Sequence, residues 1–230
     1  MCTLEQRGRV FVLTLTGADE HRLNPTLLDS IQSALHRVRS SSTPSSALVT
    51  TAEGKFFSNG FDLSWAADSD DRKILLGTKL KQIVSDLFSL PMPTVAAVTG
   101  HASAAGFLLA LSHDYVVMRK DRGFLYMSEL DIGLMIPDYF MAVLREKIPA
   151  AGARREVVLR AGKLTAVRAA EMGIVDKAYN SAAETVEGGV RLGEELAGRG
   201  WDGELYARTR KASYPEACLV LGLVNFRPKL

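Results

Sequence analysis

The run Val95–Glu129, VAAVTGHASAAGFLLALSHDYVVMRKDRGFLYMSE, constrains this chain more than any other. A short apolar strand, Thr94–Thr99, turns at Gly100 and passes through Ser103-Ala104-Ala105-Gly106 into an apolar helix, Phe107–Leu111. A second strand, Asp114–Met118, follows, and the run closes on Glu129 among Phe124, Leu125, Met127 and Leu130. Small side chains at a strand-to-helix turn let another group come close to the backbone. The first N–H groups of the helix have no partner within it. Such donors near a carboxylate in apolar surroundings suit proton abstraction next to a carbonyl. Small residues before a helix also serve packing alone, and a lone glutamate is commonly solvated, so these residues by themselves leave both readings open.

Composition narrows the alternatives. At 230 residues and 47% hydrophobic, the chain can bury a substantial core, as one domain with a C-terminal appendage. A net charge of +2, with no basic block interleaved with aromatics, gives no electrostatic case for nucleic acid. No run approaches the roughly 18 to 20 apolar residues of a membrane span, and MCTLEQRGRV lacks a signal-peptide apolar region. Cys2 and Cys218 lie near opposite ends, and His21, His36, His101 and His113 show no ligand spacing. A reducing compartment and no metal site are the expectations.

In order along the chain, Arg9–Thr16 reads as a strand, and Asn24-Pro25 caps an amphipathic helix through Leu28, Ile31, Leu35 and Val38. Ser40–Ser46 is a loop, Ala47–Thr51 a strand and Lys55–Ser58 a short one. Asp62 caps a turn of helix, and a longer helix begins at Asp68–Asp71 with a Leu76, Leu80, Ile83, Val84, Leu87, Phe88 stripe. After Glu129 the spacing predicts helices over Tyr139–Ile148, Arg154–Ala161 and Thr165–Met172, a strand over Ile174–Ala178, and helix from Ser181 onward. Short strands early and helices late point to an α/β core, residues 1–180, followed by a helical segment, residues 181–230.

Gly54–Leu63 (GKFFSNGFDL) and Val95–Asp114 together resemble the two signature segments of the crotonase (enoyl-CoA hydratase/isomerase) superfamily, and Leu164–Ala178 resembles its helix-then-strand segment near the end of the core. The resemblance implies an α/β spiral of repeated ββα units with C-terminal helices. It implies an acyl-CoA thioester as substrate, with no further cofactor because coenzyme A belongs to the substrate. It also implies a homotrimer or a homohexamer built as a dimer of trimers. The family's two oxyanion donors, both backbone N–H groups, fall on Phe61 and Ala105; glycines are common where this chain has Ala104 and Ala105. Ser58, Asn59 and Gly60 fall where the family meets coenzyme A, and Leu134 and Met135 fall on the substrate wall.

Hydratases of the family carry two glutamates; one position is Leu108 here, and the other, across a one-residue insertion, is Glu129. Ser128–Pro137 resembles the equivalent run of single-glutamate Δ3,Δ2-enoyl-CoA isomerases in the family. A single base suits that reaction, because one carboxylate can take a proton from C2 and return it at C4. Burial among Met127, Leu130, Leu134 and Met135 is expected to raise the pKa of Glu129. The implied function is an isomerase of fatty-acid β-oxidation; the alternatives are a hydratase or thioesterase of the same family, or a non-catalytic acyl-CoA binding module. Lys55, Arg72, Lys73 and Lys79 are candidates for the coenzyme A phosphates; His101, His113, Asp114 and Cys218 read as structural. Pro228-Lys229-Leu230 resembles a peroxisomal import tripeptide, which implies a peroxisomal location and an import receptor as partner, with the cytoplasm as the alternative.

Overall fold

The computed structural model describes residues 1–17 and 20–224. The chain runs β1 (Cys2–Arg7), β2 (Val10–Leu15), α1 (Pro25–Ser41), β3 (Ala47–Ala52), β4 (Phe56–Ser58), α2 (Leu63–Ala66), α3 (Asp70–Ser89), β5 (Thr94–Val98), β6 (His101–Ser103) and α4 (Ala105–Leu111). It continues with β7 (Tyr115–Arg119), β8 (Leu125–Tyr126), a 3-10 turn (Leu130–Ile132), α5 (Asp138–Lys147), α6 (Ala151–Val158), α7 (Ala166–Glu171), β9 (Lys177–Tyr179), α8 (Ala182–Ala197), α9 (Gly203–Ser213) and α10 (Pro215–Val220).

The strands form two sheets. One has the order β1-β2-β3-β5-β7-β9 and is parallel except for the β1–β2 hairpin; the other is the parallel trio β4-β6-β8. Three successive turns of the chain, β3–β4, β5–β6 and β7–β8, each lay one strand in each sheet, which is the expected spiral of ββα units. Glycines make the corners between the sheets possible. A methyl group on Gly100 would lie 2.2 Å from Lys55 O, and one on Gly123 would lie 2.8 Å from the Gly100 carbonyl carbon. Successive corners therefore stack backbone on backbone.

The central strands of the large sheet, β2, β3, β5 and β7, are buried on both faces, as parallel strands require. Phe11, Leu13 and Leu15 face the main core with α1, α3 and α4, while Val10 and Val12 face the opposite side with Val49, Val95, Ala97 and Val117. Helix α8 covers that second face. Its Gly189 and Gly193 lie so close that an added methyl would sit 3.2 Å from Ala97 Cβ and 3.1 Å from Val10 Cγ2. The helical segment after residue 180 is thus packed on the sheet at its beginning.

Its later part is tied down by charge. Arg210 on α9 is 5% exposed, and its guanidinium meets Asp114 at 2.6 Å through both Nε and Nη2. It also donates to the carbonyls of Leu90 at 2.7 Å and Met92 at 2.5 Å. Asp114 in turn accepts from Thr94 N and Thr94 Oγ1, so the carboxylate is fully partnered. Arg210 holds the Asp114 pKa below its usual range against the desolvation that would raise it. Asp114, read from sequence as a turn support, is the inner end of this pair.

The local differences from the sequence expectation have simple causes. The expected strand at Ile174–Ala178 starts at Lys177, because the N–H groups of Ile174 and Val175 are drawn to Ala169 O at the end of α7. The expected helix Arg154–Ala161 begins at Ala151 and stops at Val158, and Ala161 takes φ +48°. β1, β6 and β8 are strands that no periodicity announced. The caps at Asn24, Asp62 and Thr165 accept from Leu27, Trp65 and Arg168 N–H groups as expected.

His113 is 1% exposed, with Nε2 2.8 Å from Thr50 Oγ1 and Nδ1 3.0 Å from Leu109 O. Burial lowers its pKa to about 4, so the folded chain keeps it neutral. The unfolded chain takes up that proton near the ordinary histidine value of about 6.5, and the folded chain only near 4. Stability should therefore fall as the pH drops through this window, by up to ~3 kcal/mol. Urea unfolding at a series of pH values measures it, and a flat profile would contradict the buried neutral imidazole.

Candidate active site

Strands β4 and β6 are parallel neighbours, so their C-terminal ends deliver Ser58–Phe61 and Ser103–Ala105 to the same place. Two glycines bring these turns into backbone contact. A methyl on Gly106 would lie 2.3 Å from Ser58 O, and one on Gly60 would lie 3.1 Å from Ser103 O and 3.6 Å from Ala105 N. Gly60 also needs its φ of +74° to turn the chain.

The backbone bonding leaves two donors over. Leu23 N–H donates to Gly60 O at 2.8 Å, and Asp62 N–H donates to Leu23 O at 3.3 Å. This parallel bridge uses the groups on either side of Phe61 and turns the Phe61 N–H away from Leu23. Ala105 opens α4 and has no acceptor within it. Among the described residues, neither the Phe61 nor the Ala105 N–H has a protein acceptor.

Ser58 is fully buried; its hydroxyl donates to His21 O at 2.8 Å and accepts from Gly60 N at 3.3 Å. Its side chain therefore shapes the turn from inside, while Asn59 faces the neighbouring cavity.

Glu129 follows β8, the third strand of the small sheet, and is 6% exposed. Its Oε2 is buried without a hydrogen-bond partner among the described residues, and desolvation raises its pKa above the ordinary carboxylate value. The source of that burial differs from the expectation. Met127 is buried at 1% exposure, but Leu130 is 55% and Met135 91% exposed. The 3-10 turn, closed by Gly133 at φ +69°, swings those side chains outward. Glu129 is covered mainly from the core side.

A cavity of about 630 Å³ joins these groups. Phe61, Ala104 and Glu129 all line it, with Leu134, Met135 and Phe140 among its apolar walls. Asp68, exposed in the turn after α2, is the other carboxylate on its lining. Leu108, where hydratases of the family carry an acid, is wholly buried. Of the four basic candidates only Lys73 lines the cavity; Arg72 stacks on Trp65, Lys79 pairs with Asp29, and Lys55 lies over Phe56. Arg22, held by Glu20, also lines it and was not anticipated. Pro228, Lys229 and Leu230 lie outside the described residues. Among the described residues no cluster of three or more metal-ligating side chains occurs, and no helix is long and apolar enough to cross a membrane.

The turn carries strain. Ala104 has φ +48° and ψ −118°, which side chains strongly disfavour, while its N–H donates to Tyr126 O at 2.8 Å and its carbonyl accepts from Leu108 N at 2.9 Å. Strain of this kind costs about 1 to 3 kcal/mol and persists where surrounding bonds over-determine the backbone. Ala104→Gly should raise stability by about 1 kcal/mol after the glycine's own entropic cost. Urea midpoints compare the two proteins, and a less stable glycine variant would contradict the strain.

Residues 5–207 match the family model described as enoyl-CoA hydratase/isomerase. The chain is 57% identical over 220 residues to enoyl-CoA delta isomerase 1, peroxisomal, of Arabidopsis thaliana, covering 95% of this chain and 92% of that protein. It is 54% identical to enoyl-CoA delta isomerase 2, peroxisomal, of the same organism over the full length of both. Among solved structures, an apo enoyl-CoA isomerase of Mycobacterium tuberculosis superposes with a TM-score of 0.87 at 22% identity, covering 96% of this chain and 94% of that one. With the matched segments spanning both turns, the cavity and the spiral, the chain belongs to the enoyl-CoA hydratase/isomerase (crotonase) family.

Proposed function

We propose that this protein is a Δ3,Δ2-enoyl-CoA isomerase of fatty-acid β-oxidation that moves a C3 double bond to trans-C2 on an acyl-CoA thioester. The observation that carries the reading is a single buried carboxylate, Glu129, on a cavity that Phe61 and Ala104 also line, with the N–H groups of Phe61 and the adjoining Ala105 lacking an acceptor among the described residues. Identities of 57%, 54% and 52% to proteins named enoyl-CoA delta isomerase support it.

In the proposed reaction Glu129 removes a proton from C2, and the electron pair moves through the former C3 double bond and the thioester. The resulting dienolate bears its charge on the thioester oxygen, which accepts from the Phe61 and Ala105 N–H groups. Donors already fixed in place need no reorganisation as that charge develops. The protonated Glu129 then delivers its proton to C4. Desolvation of Glu129 makes it a stronger base than a solvated carboxylate, matching it better to a weakly acidic carbon. Hydration would call for a second acid to hold water, and the wholly buried Leu108 argues against that. Asn59, Gly60, Leu134 and Met135 would contact the substrate, and no group beyond coenzyme A itself enters the chemistry.

Leu130, Ile132 and Met135, all more than half exposed beside the cavity, suit an assembly that covers them, and we propose the homotrimer or dimer of trimers. The peroxisome is the proposed location. The names of the Arabidopsis relatives and the final Pro228-Lys229-Leu230, as a receptor-read tripeptide, support it.

Glu129→Gln keeps shape and removes the base. Isomerisation of 3-hexenoyl-CoA, followed by the absorbance of the conjugated thioester, should fall by about a hundredfold to ten-thousandfold. Binding of hexanoyl-CoA should persist. Near-normal turnover in the folded variant would place the base elsewhere.

A further inference from the structure

Gly77 is the one glycine on α3, a helix of 20 residues. A glycine in a helix interior is disfavoured relative to alanine and calls for a reason. The usual reasons fail here. Its φ is not positive, so no unusual backbone turn requires it. Close packing does not require it either: an added methyl would meet nothing within 4 Å. The contrast within this protein is sharp, since a methyl on Gly106 or Gly188 would strike a neighbour at 2.3 or 2.2 Å.

What Gly77 does face is the cavity. Lys73, one turn earlier on the same helix face, and Leu76, the preceding residue, line it with Gly77. The wall at this point is also held in position. Tyr139 on α5 donates its hydroxyl to Gly77 O at 3.1 Å, and its ring packs edge-on against Phe140, another lining residue, at 4.8 Å. With α3 braced against α5, a side chain added at position 77 would take cavity space and could not be relieved by a simple retreat of the helix.

We propose that Gly77 is a specificity-determining residue that keeps the cavity open for the acyl tail and thereby sets the longest chain the enzyme accepts. The proposal rests on the acyl-CoA isomerase reading of the same cavity. A long saturated tail gains affinity by burying methylenes against Leu76, Phe140 and the surface beside Gly77. A branched side chain at position 77 would exclude the distal methylenes and leave the thioester end untouched.

The test compares wild type, Gly77→Ala and Gly77→Leu on 3-hexenoyl-CoA and 3-dodecenoyl-CoA, with calorimetric binding of hexanoyl-CoA, dodecanoyl-CoA and free coenzyme A. In Gly77→Leu the ratio of kcat/KM for the dodecenoyl over the hexenoyl substrate should fall by at least about tenfold, with hexenoyl turnover within about threefold of wild type. Dodecanoyl-CoA binding should weaken in parallel and free coenzyme A binding should not change. Gly77→Ala should shift the ratio the same way by less, with a Tm at or above wild type, and it carries the test if the leucine variant does not fold. An unchanged ratio, an equal loss on both substrates or on free coenzyme A, or a wild type that already rejects dodecanoyl-CoA would overturn the proposal. Should wild type bind both thioesters and isomerise neither substrate, the isomerase reading falls. The binding ratio alone then decides the role of Gly77.

Discussion

The site depends on the backbone contact between the turn after β4 and the start of α4. Gly106 lets these segments meet at a distance no Cβ would allow, and Gly60 supplies the positive φ and the close approach to Ser103 O that complete the turn. Everything the cavity offers an oxyanion follows from that contact. The Phe61 and Ala105 N–H groups come to neighbouring positions because their carriers touch, and among the described residues neither has an acceptor because local bonding uses their neighbours instead. The donors are main-chain atoms, so the fold itself holds them.

Stability and function pull in opposite directions around this contact. Ala104 keeps a backbone conformation that alanine disfavours, and Glu129 keeps a buried oxygen without a partner among the described residues. Both are costs that a chain selected only for stability would shed. The compensation lies away from the cavity. It comes from the doubly covered sheet, the glycine-stacked corners and the Arg210–Asp114 pair that ties α9 to the start of β7. The strained turn is held in place by the bonds from Ala104 N–H to Tyr126 O and from Leu108 N–H to Ala104 O.

Much of this was legible in the sequence, and the limits are physical. Helices with a repeat and a cap, such as α1 from Asn24-Pro25 and α7 from Thr165, appear where spacing puts them. The two signature segments pointed to Phe61 and Ala105 and the Ser128–Pro137 run to Glu129, and all three lie at or beside a single cavity. Strands β6 and β8, of three and two residues, are too short to show any period. β1 (CTLEQR) is a mostly exposed edge strand whose inward face carries only Cys2 and Leu4, too little to show a period. The partner of Asp114 lies 96 residues away and leaves no local trace. Glu129 shows the subtler limit. Its sequence neighbours Leu130 and Met135 are apolar, yet the turn sends them outward, so its burial comes from contacts that adjacency does not encode. Arg22 and Gly77 enter the cavity through tertiary placement alone.

The central claim is that the two backbone donors and the one carboxylate address a single bound thioester. A crystal structure of the protein with a saturated acyl-CoA tests it most directly. The account predicts the thioester oxygen within about 3.2 Å of both Phe61 N and Ala105 N, with Glu129 beside C2 and C4. A thioester oxygen bound by other groups, or an acyl chain that leaves Glu129 out of reach of C2, would contradict it.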